Sequence, residues 1–252
     1  MTLIESKNLK THSQPSLISK PHPNAYLTCL KSLDTSLAVT CQSNVLLLDR
    51  SNLKPRAAVP HANRVSKLEK CINHNNMIAS ADLDGNLWVW DERYDGDKGI
   101  NVQVQSSNGK KSPIHALSLN TDVNTVVAGT ELVGDDASIV IYDIRNTKSP
   151  IRRYDELHSD DITTLKILPN NHLLTGSSDG LLMYVDPNIA DDNDASLGCL
   201  NVGSSIADVG YTSNGHIWTY TDMQTAAIYT LDEENVSLYT YIYIFIYLFI
   251  DN

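Results

Sequence analysis

Short apolar runs and tight polar turns alternate along most of this chain, with almost no helical spacing of the apolar positions. The stretches 78–91 and 173–186 share one pattern: an apolar or small strand, an Asp-Gly pair, a second apolar strand and a closing Asp. Asp-Gly suits a two-residue hairpin turn, because both residues tolerate a positive φ. Each stretch is therefore predicted to be a β-hairpin.

Weaker copies of the same hairpin lie at 37–49, 126–143 and 215–232, so that the unit occurs five times. The spacings between the closing residues are 42, 52, 43 and 46, counted along Asp49, Asp91, Asp143, Asp186 and Asp232. A period of about 40–45 residues is typical of repeat proteins in which each repeat is a small sheet. The sequence therefore predicts an internal repeat of five sheets.

The second strand of each hairpin is nearly continuously apolar, not alternating. Strands of this kind are covered on both faces, as in sheets that stack against each other around an axis. A further candidate strand precedes four of the hairpins, at 65–68, 114–119, 162–168 and 206–211. We therefore predict an all-β propeller, with blades at about 26–57, 58–100, 110–150, 156–190 and 199–235.

The dipeptide Trp90-Asp91, the Asp-Gly turns and a His ahead of the first strands resemble the WD-repeat family over residues 26–234. The stretches 128–137 and 158–181 are similar to one subgroup of that family. The resemblance implies a seven-bladed ring, of which about five blades are present here, and a non-enzymatic scaffold that binds other proteins or peptides. One architecture hosts many functions, so the partner stays open.

The resemblance also implies a hydrogen-bonded network of a His, a hydroxyl, an Asp and a Trp inside a blade. In the second blade the matching residues are His61, Asp84 and Trp90, with Asp82 at the hydroxyl position. The physical role of such a network is to satisfy buried polar groups and turn amides.

In the fourth blade the matching residues are His158, Ser177 and Asp179, and Val185 stands where the Trp would be. The same three residues could form a nucleophilic triad, which requires an exposed Ser within reach of the His and an oxyanion hole. Ser177 lies at the end of a predicted interior strand without a nucleophile elbow. We therefore expect a structural network and no enzyme activity.

Arg93 and Arg145 each follow a strand end, in Trp90-Asp91-Glu92-Arg93 and Tyr142-Asp143-Ile144-Arg145. These segments resemble the W-D-x-R signature of propellers that act as substrate receptors of cullin-type ubiquitin ligases, which implies a ligase adaptor as an alternative partner. Glu92 stands where an apolar residue is usual. The other interpretation is a local salt bridge between the Asp and the Arg, which stabilises a surface little.

Charge and cysteine content restrict the kinds of partner and ligand that we expect the chain to bind. With 19 basic and 30 acidic residues the net charge is −11, which disfavours nucleic acid and anionic membrane surfaces. Cys71 and His74 lack the second ligand pair of a zinc site, and no phosphate-binding Gly-rich loop is present. We expect no metal or cofactor, and an intracellular protein, cytoplasmic or nuclear, because the N-terminus lacks a signal peptide.

The two ends of the chain differ from the repeat. Residues 1–25 are expected to be flexible or extended. The tail 236–252 is apolar and aromatic, contains both phenylalanines of the chain, and is expected to be anomalous, since the coding sequence could stop before the ring closes. A five-bladed ring in which the tail supplies a closing strand is the alternative. The run 238–250 is too short to cross a bilayer as a helix, which needs about 20 residues.

Overall fold

In a computed structural model of the chain, residues 26–93, 99–107, 109–122, 124–232 and 237–245 are described, and from residue 231 onward only the backbone. The predicted N-terminal segment 1–25 lies outside these residues. The described part is almost entirely β-structure, as the repeat predicts. Five four-stranded antiparallel sheets follow one another along the chain.

Each sheet is built from four strands that are consecutive in sequence. The first contains β1 (Leu27–Ser32), β2 (Ser36–Cys41), β3 (Asn44–Asp49) and β4 (Pro55–Pro60). The second contains β5 (Val65–Lys70), β6 (Met77–Asp82), β7 (Asn86–Asp91) and β8 (Ile100–Gln103). The third contains β9 (Ile114–Asn120), β10 (Thr125–Thr130), β11 (Ile139–Asp143) and β12 (Arg152–Tyr154).

The last two sheets follow the same order. The fourth contains β13 (Ile162–Ile167), β14 (Leu173–Ser177), β15 (Leu181–Val185) and β16 (Ser196–Asn201), preceded by the short helix α1 (Asp192–Ala195). The fifth contains β17 (Ile206–Tyr211), β18 (His216–Thr221), β19 (Thr225–Asp232) and β20 (Ser237–Phe245). Every sheet runs 1-2-3-4 in space as well as in sequence.

The first strands of the sheets surround a common axis. Strand β5 contacts β1 and β9, and β13 contacts β9 and β17. The fourth strand of each sheet therefore lies farthest from the axis. This radial stacking of antiparallel sheets is a β-propeller, and each sheet is one blade.

Four apolar clusters lie between neighbouring blades and hold the stack together. Close approach between blades four and five requires Gly176, where an added Cβ would lie 2.8 Å from Cγ2 of Ile206 and 2.9 Å from Cγ2 of Thr164. Burial on both sheet faces explains why the second and third strands are continuously apolar.

The tail differs from the expectation that it lies outside the repeat. Ser237–Phe245 forms β20 and pairs antiparallel with β19, from Thr225 opposite Phe245 to Asp232 opposite Ser237. Its β-branched and aromatic composition suits a strand, and it is the fourth strand of the fifth blade. Residues 246–252 lie outside the described part, and the two further blades that the resemblance implies stay a prediction.

Candidate functional site

A buried polar network crosses the second blade. Nε2 of His61 lies 2.9 Å from the Ser80 hydroxyl, which also accepts a 3.4 Å hydrogen bond from Nε1 of Trp90. Nδ1 of His61 lies 3.4 Å from a carboxylate oxygen of Asp82. Burial lowers the pKa of His61, although the Asp82 carboxylate opposes this shift. The structure thus brings together His61 and Trp90, which the sequence proposed, with Ser80, which it did not.

Asp82, and not Asp84, is the carboxylate of this network. Asp82 is fully buried and accepts hydrogen bonds from the backbone amides of Asp84 and Asn86 and from the Asn86 side chain. Asp84 instead lies in the β6–β7 turn and is partly exposed; its carboxylate accepts a bond from Asn63 and lies 3.8 Å from Nζ of Lys111. The assignment of Asp84 to the network and of Asp82 to the hydroxyl position is corrected accordingly.

The fourth blade keeps the Asp in the turn. Nδ1 of His158 lies 3.1 Å from the Asp179 carboxylate, and its Nε2 lies 2.8 Å from the Thr175 hydroxyl. Ser177 does not contact the imidazole: its hydroxyl donates to the Asp160 carbonyl and accepts from the Asp179 amide. The hydroxyl of this network is therefore Thr175, and Ser177 is a turn residue.

This geometry bears directly on the triad alternative. Ser177 is fully buried, and the base His158 is bonded to a different hydroxyl. Burial would raise the pKa of Asp179, but hydrogen bonds from His158 and from backbone amides outweigh it and the pKa is lowered. The three residues therefore satisfy each other and the turn, and do not form a nucleophile–base pair.

Strand geometry explains which positions take part. Side chains two residues apart on a strand share a face, so Ser80 and Asp82 both meet the His61 ring, and Thr175 takes the place that corresponds to Ser80. The sequence assignment took the hydroxyl nearest to the Asp-Gly turn, which is that of Ser177. In the structure this hydroxyl bonds to backbone groups around the turn and not to the imidazole. Alternation alone does not separate Thr175 from Ser177, because both share one face of β14; equivalence with Ser80 in the second blade would have identified Thr175.

Arg93 and Arg145 occupy equivalent places on blades two and three, just after the third strand and on the same rim. Each guanidinium forks onto the Asp two residues before it: Nη2 of Arg93 lies 2.5 Å from Oδ2 of Asp91, and Nη2 of Arg145 lies 2.6 Å from Oδ2 of Asp143. The Arg145 hydrogen bonds lower the pKa of Asp143 to about 2. Both arginine side chains are about two-thirds exposed.

Glu92, between Asp91 and Arg93, is buried. Its hydrogen-bond partners are distant in the sequence, so the local motif does not reveal its role. Its carboxylate accepts a 3.0 Å hydrogen bond from the amide of Thr35, in the first blade. The Asn76 amide, oriented to satisfy its neighbours, donates to the same Oε1 and to Asp34. A carboxylate replaces the usual apolar residue because it fastens the β1–β2 turn to the second blade.

Charged side chains line the axis. Glu69 on β5 is bound on two sides: Nζ of Lys31 on β1 lies 2.8 Å from Oε2, and Nζ of Lys166 on β13 lies 3.3 Å from Oε1. Lys166 belongs to the fourth blade, so this ion pair reaches past the third blade. The sequence analysis missed this cluster, whose signal is a charge at alternate positions of the first strands.

Lys67 lies two residues before Glu69 and faces the same axis. Burial lowers the pKa of Lys67, and the nearby ammonium groups of Lys166 and Lys31 lower it further. The carboxylates of Glu69 and Asp208 act in the opposite direction. Asp208 on β17 accepts a 3.0 Å bond from the Thr164 hydroxyl. We call these five charged residues the axial cluster.

Two clefts open on the rim opposite Arg93 and Arg145, near the start of the first strands. The larger, about 440 Å³, is lined by Tyr26, Thr28, Gln42, Ser43, Ala62, Asn63 and Arg64. The smaller, about 330 Å³, is lined by Thr28, Arg64, Val65, Ser66, Leu83 and His115. Thr28 and Arg64 border both, so the two clefts adjoin across the first three blades; we call them together the rim groove.

Among the described residues, no group of three or more His, Cys, Asp or Glu side chains is arranged to hold a metal ion. The same part of the chain contains no helix with the length and apolar character needed to span a membrane. Cys71 instead lies 3.4 Å from the Thr121 hydroxyl, and His74 lies near Asp122.

The fold is that of a β-propeller, and the sequence is similar to WD-repeat proteins. Residues 149–186, which include β12 to β15, match the family model described as "WD domain, G-beta repeat". Among curated proteins, an uncharacterized WD repeat-containing protein of Saccharomyces cerevisiae is 31% identical over 75% of this chain and 47% of its own length. One of Schizosaccharomyces pombe is 29% identical over 74% and 57%.

A WD repeat-containing protein 89 homolog of Dictyostelium discoideum is 27% identical over 91% of this chain and 61% of its own length. It belongs to the subgroup that the stretches 128–137 and 158–181 resemble, and the resemblance is confirmed. The chain spans about half the length of the curated relatives it matches.

Solved structures show the same fold at low identity. A chain in the crystal structure of the mitotic checkpoint complex superposes with a TM-score of 0.73 at 17% identity, covering 88% of this chain and 68% of that one. The β-propeller domain of Cps50 (Swd1) from Myceliophteria thermophila gives a TM-score of 0.66 at 16% identity, covering 87% and 73%. The predicted propeller is confirmed.

Proposed function

We propose that this protein is a non-enzymatic interaction scaffold of the cell interior, cytoplasmic or nuclear, which binds a peptide segment of another protein in the rim groove. The rim groove is the observation that carries the proposal: it is a concave surface that spans three blades. Tyr26, 80% exposed, and Arg64 contribute side chains of the two types that most often dominate binding energy at interfaces.

The electrostatics of the groove support a partner different from nucleic acid or membrane. The chain carries a net charge of −11, whereas the groove itself contains the cation of Arg64; the imidazole of His115, which also lines it, pairs with Glu131. A local cationic site on an acidic surface steers an acidic peptide into a defined orientation and repels polyanions elsewhere.

Affinity capture with rim variants tests the proposal. Tyr26→Ala combined with Arg64→Ala removes the two anchors, and Lys54→Ala combined with Lys148→Ala removes exposed side chains on the opposite rim. A set of partners lost with the groove variant and kept with the opposite-rim variant supports the scaffold proposal. The same partners with wild type and both variants would exclude the groove as the binding site.

The equivalent placement of Arg93 and Arg145 on adjacent blades favours one second candidate, a substrate receptor of a cullin-type ubiquitin ligase. Each guanidinium is held in one orientation by its Asp fork, which presents its outer edge to a carboxylate of an adaptor. Binding of a ligase adaptor that Arg93→Ala plus Arg145→Ala abolishes would support this candidate. Adaptor binding that is absent, or equal in the double variant, would remove it.

A further inference from the structure

A cleft of about 200 Å³ lies between blades three and four, on the rim that carries Arg145. Its walls come from both blades and from the segments that follow β11 and β15. The floor is apolar and buried: Val127 and Ile141 belong to blade three, and Ile167 and Leu173 belong to blade four. We call this space the inter-blade cleft.

The mouth of the inter-blade cleft combines an exposed apolar side chain with amide groups. Ile151 borders the cleft and is 53% exposed, although its backbone is fixed by a 2.8 Å hydrogen bond to the Ile141 carbonyl. Asn170, Asn171 and Asn188 border the same mouth and are exposed. An apolar floor below several amides fits one aliphatic side chain of an extended segment, whose backbone groups the amides can bind.

A cation lies at the edge of this cleft. The Arg152 guanidinium lies 3.3 Å from the carbonyl of Asn188 and 3.5 Å from that of Pro187, and both residues border the cleft. Among the ion pairs formed by the described residues, none includes Arg152. The segment 144–153 contains four basic residues and no acidic one, in a chain of net charge −11. This part of the rim is therefore locally cationic.

The carboxylates in the neighbourhood of Arg152 are engaged elsewhere. The charges of Asp186, Asp192 and Arg152 all act on the Tyr154 hydroxyl, so these groups lie near one another. The Asp186 carboxylate accepts hydrogen bonds from the backbone and the side chain of Asn188, and the Asp192 carboxylate accepts two from backbone amides. A carboxylate from outside the chain can therefore pair with Arg152 without displacing an internal partner.

We propose that the inter-blade cleft binds an acidic peptide segment of a partner protein, which inserts one aliphatic side chain onto the buried floor and places a flanking carboxylate against Arg152. Charge complementarity selects this occupant, since a cationic edge on an acidic chain favours an anionic segment and repels a basic one. The site lies on the rim opposite the rim groove. It is thus a second binding site of the scaffold and does not depend on the first.

A methyl NMR titration of the full-length chain, labelled at isoleucine, tests the site with defined probes. The first probe is acetyl-Asp-Leu-Asp-amide, and we expect saturable shifts of the methyl signals of Ile141, Ile151 and Ile167. Ile78, which is buried in the second blade, is the internal control and should not shift.

Two matched probes separate the contribution of charge from that of the aliphatic side chain. Acetyl-Asn-Leu-Asn-amide lacks the charge and should bind about threefold more weakly, as expected for one solvent-accessible ion pair. Acetyl-Asp-Ser-Asp-amide lacks the aliphatic side chain and should bind about tenfold more weakly or not at all, because nothing is buried on the floor.

Protein variants locate the binding site. Arg152→Gln should abolish the preference for the Asp probe over the Asn probe. Arg56→Gln should keep this preference, because it removes an exposed arginine of the first blade that bonds to hydroxyl groups. Ile151→Ser, at an exposed position, should weaken the binding of both leucine probes alike, and it serves if Arg152→Gln does not fold.

The outcomes are distinct from those of the rim groove. Tyr26→Ala combined with Arg64→Ala should leave the binding of the first probe unchanged, whereas binding that is lost in this variant would assign the probe to the rim groove and overturn the proposal. Equal affinity of wild type for the Asp and Asn probes, or tighter binding of acetyl-Lys-Leu-Lys-amide, would also overturn it. So would shifts that do not saturate or that Ile78 shares.

Discussion

The ammonium group of Lys166 lies 3.3 Å from a carboxylate oxygen of Glu69, although the two residues belong to the fourth and second blades. The ion pair spans the axis of the propeller and is partly buried, since the Glu69 side chain is 12% exposed. Removal of the Glu69 charge would leave Lys31, Lys67 and Lys166 facing one another with Asp208 as the remaining counter-charge. Glu69 therefore balances the cations around the axis.

We expect Glu69→Gln to lower the free energy of unfolding by about 1–2 kcal/mol, because a half-buried ion pair is worth more than an exposed one. Urea denaturation measures the change, with Glu131→Gln, an exposed partner of His115, as the control. A double-mutant cycle with Lys166→Met should give a coupling of about 0.5–1 kcal/mol. Strictly additive effects would show that the contact across the axis contributes nothing.

In the second blade Asp82 belongs to the buried network and Asp84 does not, so the two aspartates should contribute differently to stability. We expect Asp82→Ala to destabilise the protein by about 3 kcal/mol, because buried turn amides and His61 lose their acceptor. Asp84→Ala removes a partly exposed carboxylate outside the network and should cost less than about 0.5 kcal/mol. Thermal or urea unfolding of the two variants measures both values, and equal losses would contradict the assignment of Asp82.

Blade stacking predicts that Gly176 tolerates no side chain. We expect Gly176→Ala to lower the free energy of unfolding by about 1–3 kcal/mol, since the new Cβ meets Ile206 and Thr164 in close-packed surroundings. Ile206→Ala alone creates a cavity and is also destabilising. In the double variant the new methyl occupies part of that cavity, so its loss should be smaller than the sum. A loss equal to the sum would argue against contact between blades four and five at this point.

The Asp143–Arg145 fork predicts a pH effect. The pKa of Asp143 is about 2 in the folded chain, against an ordinary value of 3.8, because Arg145 donates hydrogen bonds to it. Because the pKa of Asp143 is lower in the folded chain than in the unfolded one, its ionised carboxylate stabilises the folded protein above pH 3.8. This contribution is lost as the pH falls toward 2 and the carboxylate is protonated.

Arg145→Ala should therefore return the pKa of Asp143 to near 3.8, measured by NMR titration of the side-chain carboxyl carbon. Lys148→Ala, which removes a positive charge close by in the sequence without touching the fork, should leave the pKa of Asp143 at about 2. A pKa that is the same in wild type and Arg145→Ala would show that the fork is not formed in solution.

The middle strands of each blade could be predicted from sequence because both of their faces are buried. Burial on both faces requires continuous apolar runs, such as 139–143, which are visible in the sequence. The fourth strands were not located, since β4, β8 and β16 are half-exposed and mix polar with apolar residues. The tail was set apart for its composition, although its backbone pairs with β19 as an ordinary fourth strand.

The polar networks show a different limit of sequence patterns. A motif identifies the residue types, but which of two side chains on the same strand face meets the His depends on how far along the strand the imidazole lies. Asp82 replaces the turn aspartate of the second blade, and Thr175 replaces Ser177 in the fourth, each by a shift of two residues along one face. The axial cluster could not be found at all from one blade, because its members come from four.

Site-specific photo-crosslinking in cells tests the central claim, that partners dock in the rim groove. A photoreactive residue is placed at Ser43, which lines the groove, or at Asn52, which lies beyond the other end of β3 and therefore on the opposite rim. We predict discrete crosslinked partners from position 43 that disappear when Tyr26→Ala and Arg64→Ala are added, and none of these partners from position 52. Partners captured from position 52 alone, or from both positions alike, would contradict the claim.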